Sequence, residues 1–237
     1  MPPSLLVVQN DPDKPLGRLA AGLERGGARL DVRSPTAELP DVREYDGLIV
    51  LPGLANPVDD TAEIHRARDA IERALEAGLP ILGVCLGGQL LVQALGGSVH
   101  RCQPELGFGD VEALPAVAED PLLAGAPSRF PIFHAHTFAF TPPEGAEVLL
   151  TNDVGVQACR HGQTWAFQCH PEIAEDWVAA LAAGLRGRDG KLLAATTGFF
   201  DSNGVTAEQL ERDAAVAEPA MRALADGITR GFAGRLS

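Results

Sequence analysis

Cysteine is scarce in this 237-residue chain: Cys85, Cys102, Cys159 and Cys169 are the only four, and no two of them form a CxxC spacing. That excludes a disulfide-dense secreted scaffold and a zinc ribbon, so free thiols are expected, with no metal and no cofactor. Basic charge is also in deficit. Lysine and arginine total 19 against 32 acidic residues, and the formal net charge of -13 is spread along the whole length. Such a surface argues against nucleic acid or an anionic membrane as partner. No apolar run approaches the roughly 18 residues of a membrane helix, and the opening MPPSLLVVQNDPD lacks the basic n-region of a signal peptide. The expected location is the cytoplasm. A phosphate-binding GxxxxGK(S/T) loop is absent, as are internal repeats and low-complexity tracts, so the chain carries no module of its own for activating an acceptor.

What the chain does have is enough apolar residue, 46%, to bury a sizeable core. Its first half alternates short apolar runs with helical patterns: LLVV (Leu5 to Val8), a helix near Leu16 to Gly26, ARLDVR, then YDGLIVLPG. This alternation predicts an α/β fold with a parallel sheet. From Thr61 to Gly78, Ile64, Ala67, Ile71, Ala74 and Leu75 recur at helical spacing, and a buried strand, Ile81 to Val84, follows. From Gly107 to Gln168 the pattern changes to shorter, turn-punctuated strands (FPIF, EVLL, GVQACR, TWAFQC) that would extend the sheet in antiparallel fashion. Beyond His170 come a helix near Glu172 to Gly184, a connector around Gly187, and a long helix from Thr206 to about Phe232. Thr206 with Gln209 gives that helix a capping box. Ala214, Ala217, Met221, Leu224 and Ile228 lie at helical spacing, as expected of a helix packing on the domain, with a homodimer contact as the alternative.

The stretch GVCLG sets Cys85 between Gly83 and Gly87, where a strand must turn abruptly into a helix. A nucleophile at such an elbow projects outward from a strained backbone, and the amide after it helps form an oxyanion hole. The thiol would also sit at a helix N-terminus, where unsatisfied amides and the macrodipole favour negative charge. The plainer alternative is a small buried residue whose flanking glycines merely permit tight packing.

A thiol nucleophile needs a base, and the base needs a group that fixes its orientation. In TWAFQCHPE an apolar strand ends at Gln168-Cys169, and His170, Pro171 and Glu172 follow. Alternation past the strand end can set His170 and Glu172 on one side. A loop histidine before proline is the alternative. A third arrangement, a metal cluster of His134, His136, Cys169 and His170, is chemically conceivable.

GVCLGGQ together with FQCHPE, in that order, resembles the class I (triad-type) glutamine amidotransferase family, in particular freestanding domains like the amidotransferase of GMP synthase. The resemblance runs from about Leu5 to Gly184. It implies a flavodoxin-like three-layer sandwich with a mixed, mainly parallel central sheet, spanning residues 1–186, and leaves 187–237 as a C-terminal helical extension. It implies hydrolysis of a γ-glutamyl amide by Cys85 as nucleophile, His170 as base and Glu172 as its orienter. The resemblance implies the Leu86 amide as one oxyanion donor. The other falls in the loop after YDGLIVLPG, where relatives carry a glycine pair before proline; here Gly53 matches the second glycine and Pro52 replaces the first. The replacement removes one N–H from the loop and leaves the Gly53 amide in place.

Gln89 matches a contact to the substrate's amino-acid end. FHAHTFAF (Phe133 to Phe140) resembles the strand-loop segment that holds the α-carboxylate, with His136 as its histidine and Thr137 and Phe138 as backbone contacts; two residues are missing relative to members with Gly-Asp after that histidine. Cys102 and Cys159 are expected to be structural thiols on strands. The implied partners are glutamine or another γ-glutamyl compound, and a separate synthetase subunit that uses the ammonia. The alternatives are a stand-alone γ-glutamyl peptidase or amine hydrolase, and a silent binding subunit.

Overall fold

The first two apolar runs form adjacent parallel strands. β1 (Ser4–Val8) lies between β2 (Arg29–Arg33) and β3 (Gly47–Val50), and β4 (Ile81–Val84) continues the sheet on the far side of β3. The structure, a computed structural model, describes residues 1–187 and 194–236. Among these the remaining strands are β5 (Ser98–Ala113), β6 (Arg129–Thr141), β7 (Glu147–Thr151), β8 (Val156–His161) and β9 (Thr164–Phe167). They complete a nine-stranded mixed sheet of order β2-β1-β3-β4-β9-β8-β7-β5-β6. The first five of these strands run parallel and the last four join antiparallel.

Helices cover both faces, and the strand alternation shows why. On β1, Leu5 and Val7 enter one core while Leu6 and Val8 enter the other; on β3, Ile49 and Leu48 divide in the same way. Helices α2 (Ala62–Glu76) and α3 (Leu86–Ala94) pack on one face through Ile64, Ala67, Ile71 and Leu90. Against the other face lie α1 (Arg18–Arg25), α4 (Glu175–Leu185), α5 (Ala194–Ser202) and α6 (Ala207–Ala233). This is the three-layer α/β sandwich.

The helix starts follow the side-chain caps. Thr61 accepts from the Ile64 amide to begin α2, and Thr206 accepts from the Gln209 amide to begin α6, as the capping box predicts. On α6, Ala217, Met221, Leu224, Ile228 and Phe232 are buried in the same core as Leu19 and Leu23 of α1 and Leu181 of α4. The contact is reinforced by a bidentate pair from Arg18 to Glu218. No helix among the described residues is long and apolar enough to cross a membrane.

Three sequence expectations need correction. The strands from Gly107 onward are not all short: β5 has 16 residues and β6 has 13, paired antiparallel along most of their length. Gly107 and Gly109 on β5 and Pro131 on β6 read as breaks, yet the ladder runs through all three. The Phe133-to-Phe140 segment is correspondingly continuous strand with no loop, and the irregularity falls on the opposite strand, between Arg101 and Glu105. Helix α5 was not expected, and the connector around Gly187 lies largely outside the described residues.

Candidate active site

Cys85 stands at the carboxyl end of β4, the central strand of three parallel neighbours. The loops leaving β3, β4 and β9 on the same edge deliver Gly53, Cys85 and His170 to one place, because parallel strands in register end together. Cys85 has φ 49 and ψ -111, and among the described residues no other non-glycine has a positive φ. Its amide donates to the Phe167 carbonyl at 2.7 Å and its carbonyl accepts from the Gln89 amide at 2.8 Å, so the strained backbone is held from both sides.

The flanking glycines are steric requirements. An added Cβ at Gly83 would come within 2.6 Å of the Gly87 carbonyl, and one at Gly87 would overlap the Val50 carbonyl of β3. Gly87→Ala must therefore push α3 off β3 and carry Cys85 with it. It is expected to cost about 1–3 kcal/mol, a fall of roughly 2–12 °C in Tm. Turnover should drop on the order of 100-fold, since misplacement by about 1 Å is worth that much. Thermal melts and kinetics on the purified variant check both.

His170 and Glu172 are almost wholly buried. Nδ1 of His170 lies 2.7 Å from Oε1 of Glu172, and since an ionised carboxylate can only accept, Nδ1 carries the proton. Nε2 of the same ring is buried and makes no hydrogen bond with sound geometry among the described residues. Burial works to lower the imidazole pKa, but the charges of Glu172 and Cys85 outweigh it and raise the ring to about 10. The His170 amide donates to the Phe133 carbonyl of β6 at 2.9 Å, and the Arg18 amide donates to the Glu172 carbonyl at 3.0 Å. Both ends of the His-Pro-Glu stretch are thereby anchored.

A cavity of about 190 Å³ opens over the sulfur. Its walls include Cys85, Leu86, Gly53, Gln89, His136, Thr137, Phe138 and His170, so of the residues the family resemblance implies for catalysis, oxyanion and substrate binding all but Glu172 reach it, while His134, Cys102, Cys159 and Cys169 do not line it. Glu172 sits behind His170. The Leu86 amide begins α3 and lies outside that helix's own hydrogen-bond ladder. A Cβ at Gly53 would come within 2.8 Å of the Leu86 side chain and 2.9 Å of Asn10, so only glycine fits there. Gln89 is buried, with both amide protons directed inward to the Phe138 carbonyl (3.1 Å) and the Gln168 side chain (3.0 Å). It therefore ties the β6 edge of the cavity to the β9 loop. The His136 ring is pinned, with Nε2 3.1 Å from Oε2 of Glu105 and Nδ1 3.8 Å from the Cys102 sulfur.

With that geometry in place, comparison with known proteins decides the family. The family model "Glutamine amidotransferase class-I" matches residues 17–176, well over half of the chain. The chain belongs to the class I glutamine amidotransferase family. It is thus a glutamine-hydrolysing enzyme of the cysteine-nucleophile type. The amidotransferase is 34% identical over 148 residues to a glutamine-hydrolysing GMP synthase subunit from Methanocaldococcus jannaschii, an alignment covering 60% of this chain and 72% of the relative. It is 33% identical over 174 residues to the HisH subunit of imidazole glycerol phosphate synthase from a Synechococcus strain, covering 64% and 78%. In fold it is similar to a solved glutamine amidotransferase of Thermotoga maritima, with a TM-score of 0.82 at 20% identity over 98% of this chain and 99% of that one.

The amidotransferase site contains residues that sequence reasoning did not find. Asn10 donates to the Leu51 carbonyl at 2.7 Å and braces the Pro52-Gly53 loop. Lys14, from the loop after β1, and Thr196, Phe199 and Phe200 of α5 also line the cavity. The Lys14 side chain donates to Thr196 Oγ1 at 3.1 Å and lies 5.0 Å from the centre of the Trp177 ring. Burial pulls its ammonium below the ordinary lysine value, opposed by the charges of Asp11, Cys85 and Glu172. Only the run NDPDK after the first strand, polar and turn-rich, hinted at a functional loop.

All four cysteines are free. Burial pushes Cys159 up to about 12 and Cys169 well above the usual thiol range. The candidate metal ligands that come together among the described residues are Glu105, His134 and His136, within 4.8 Å of one another. Cys169 and His170 are not among them. Glu105 is already engaged by Asn152 (2.6 Å) and Gln157 (2.8 Å), and burial holds the His134 imidazole down at about 4.

Proposed function

We propose that Cys85, His170 and Glu172 act as a triad that hydrolyses the side-chain amide of glutamine. The observation that carries this reading is the pair of contacts at His170. One ring nitrogen is fixed on a buried carboxylate, and the ring lies in the wall of the cavity that also holds the elbow cysteine, whose charge acts on it. The Cys85 sulfur attacks the side-chain carbonyl carbon, and the oxygen becomes an oxyanion received by the amides of Gly53 and Leu86. Each such donor is worth roughly 2.7–4 kcal/mol of barrier. His170 passes the proton on Nε2 to the departing nitrogen, the C–N bond breaks, and a γ-glutamyl thioester remains. Water then gives a proton back to His170 as it attacks the thioester, and glutamate leaves with the thiol restored.

The substrate's amino-acid end is assigned to Gln89 and the His136–Phe138 edge, and Gln89 serves mainly by holding the Phe138 carbonyl. The released ammonia goes to a separate synthetase subunit. Relatives named as subunits of GMP and imidazole glycerol phosphate synthases support this reading. A second reading, stand-alone cleavage of γ-glutamyl amines, is favoured by one observation: the cavity that holds Cys85 and His170 is also lined by a buried lysine and by residues of α5. We assign the enzyme to the cytoplasm, and residues 187–237 to an extension of the catalytic unit.

The test is glutamate release from L-glutamine by the purified protein, with labelling of its cysteines by a glutamine-like electrophile. Labelling confined to Cys85, and slowed in His170→Ala, is expected. Labelling at another cysteine, or an unchanged rate in His170→Ala, overturns the assignment.

A further inference from the structure

Lys14 is a buried cation with little to bind. It is 7% exposed, and among the described residues its ammonium makes one hydrogen bond, to Thr196 Oγ1, one contact with the Trp177 ring, and no ion pair. An ammonium has three N–H donors, so two remain uncommitted. Removing such a group from water is costly unless an opposite charge or further acceptors compensate. The acidic groups acting on it from a distance, Asp11, Glu172 and Asp13, include none within ion-pairing reach.

The position of Lys14 indicates which part of a substrate would compensate it. The Gln89 and His136–Phe138 side of the cavity is assigned to the amino-acid end of the γ-glutamyl group. Lys14 lines the same cavity as Cys85 and His170, close enough for the charges of Cys85 and Glu172 to act on it, and it is the one lysine or arginine among the described residues that line it. His170 protonates the departing nitrogen, and Lys14 is the buried cation in the same cavity that a negative charge attached to that nitrogen can meet. Lys14 also lines a second cavity, of about 380 Å³, together with Glu172, the residue behind His170.

We propose that Lys14 is a second anion-recognition point, and that the enzyme also cleaves γ-glutamyl amino acids, seating the carboxylate of the departing amino acid on Lys14. The step is the same acyl transfer: the γ-glutamyl C–N bond breaks, the leaving amine takes its proton from His170, and water releases glutamate from Cys85. The proposal rests on the triad reading and on its stand-alone form, and Lys14 is a specificity residue within it. A charge-assisted contact between ammonium and carboxylate discriminates against a neutral analogue by about tenfold or more.

The experiment pairs γ-glutamyl-alanine with γ-glutamyl-alaninamide, which differ in that one charge. Equilibrium binding to Cys85→Ala protein, which cannot turn over, should favour the acid by about tenfold or more. Lys14→Met should remove the preference and Lys14→Arg should keep part of it. In the otherwise wild-type enzyme, Lys14→Met should raise KM for the acid more than for the amide, so that the acid-over-amide ratio of kcat/KM falls about tenfold or more. Equal binding of acid and amide to the Cys85→Ala protein overturns the proposal, as does an equal loss of kcat on all substrates in Lys14→Met, which would mark Lys14 as support for the thiolate or the oxyanion. Discrimination in binding without hydrolysis of any substrate by the wild-type enzyme would overturn the triad reading and leave Lys14 as the anion point.

Discussion

Cys85→Ala is expected to lose glutamine hydrolysis by a factor of about 10⁴ or more while keeping its melting temperature within a few degrees. On the proposed mechanism the rate loss follows because no other group lining the cavity can form the acyl intermediate. Removing a triad nucleophile leaves only the residual catalysis of the oxyanion hole and of binding. The stability is spared because the thiol's polar contacts are weak, one from Nε2 of Gln168 at 3.9 Å beside its electrostatic interaction with the His170 ring. The backbone bonds that hold the elbow, to Phe167 and Gln89, do not involve the side chain. Alanine is no more strained than cysteine at φ 49, since both carry a Cβ.

The other thiols cannot substitute. Cys159 and Cys169 are raised out of the reactive range by burial and do not line the cavity, and Cys102 faces His136 from β5. Single-turnover kinetics with a chromogenic γ-glutamyl anilide would show the acyl-enzyme burst in wild type and none in the variant. Activity within 100-fold of wild type would sink the assignment.

The parts of this site that could be read in the sequence are those set by local chemistry. A strand-to-helix elbow demands small residues at fixed offsets, so Gly83-Val84-Cys85-Leu86-Gly87 announces itself, and the structure supplies the reason in the Gly87 and Val50 carbonyls. The His-Pro-Glu stretch is equally local, with a single residue, Pro171, between the two partners. Caps behave in the same way, as at Thr206 and Gln209.

What could not be read depends on distance along the chain. Lys14 and Thr196 are 182 residues apart, and nothing in either neighbourhood records that they meet. Helix α5 is Ala-Ala-Thr-Thr-Gly-Phe-Phe-Asp-Ser, rich in residues of middling or poor helix propensity; Thr196 and Phe200 are buried on its inner side, so tertiary packing overrides the local preference. The length of β5 and β6 was hidden by the same effect in reverse. Glycine and proline mark breaks in isolation, but the cross-strand ladder between the two strands is strong enough to carry through them.

Glu172→Gln separates the charge of the triad from its shape. The side chain keeps its volume in a pocket where the carboxylate is almost wholly buried, so the fold should survive. The electrostatics should not survive. His170 is held between two opposing effects, burial that lowers its pKa and the charges of Glu172 and Cys85 that raise it, with the charges prevailing at about 10. With Glu172 neutral, burial gains on the remaining charge and the pKa falls. The ring then carries less positive charge at neutral pH and has a weaker hold on the Nδ1 proton that orients it, so kcat should fall by about 10³ to 10⁴.

The same change has a signature in stability that a purely geometric role would not produce. In wild type the ring binds its proton more tightly when folded than at the ordinary histidine value of 6.5. Its contribution to stability is fully present below pH 6.5 and is lost as the pH rises through about 10. Tm should therefore fall over that window in wild type, and the fall should flatten in Glu172→Gln. A variant that keeps both the wild-type slope and a kcat within tenfold of wild type would show that the carboxylate does not govern the imidazole, and Glu172→Asp, which keeps the charge on a shorter arm, should restore part of the slope.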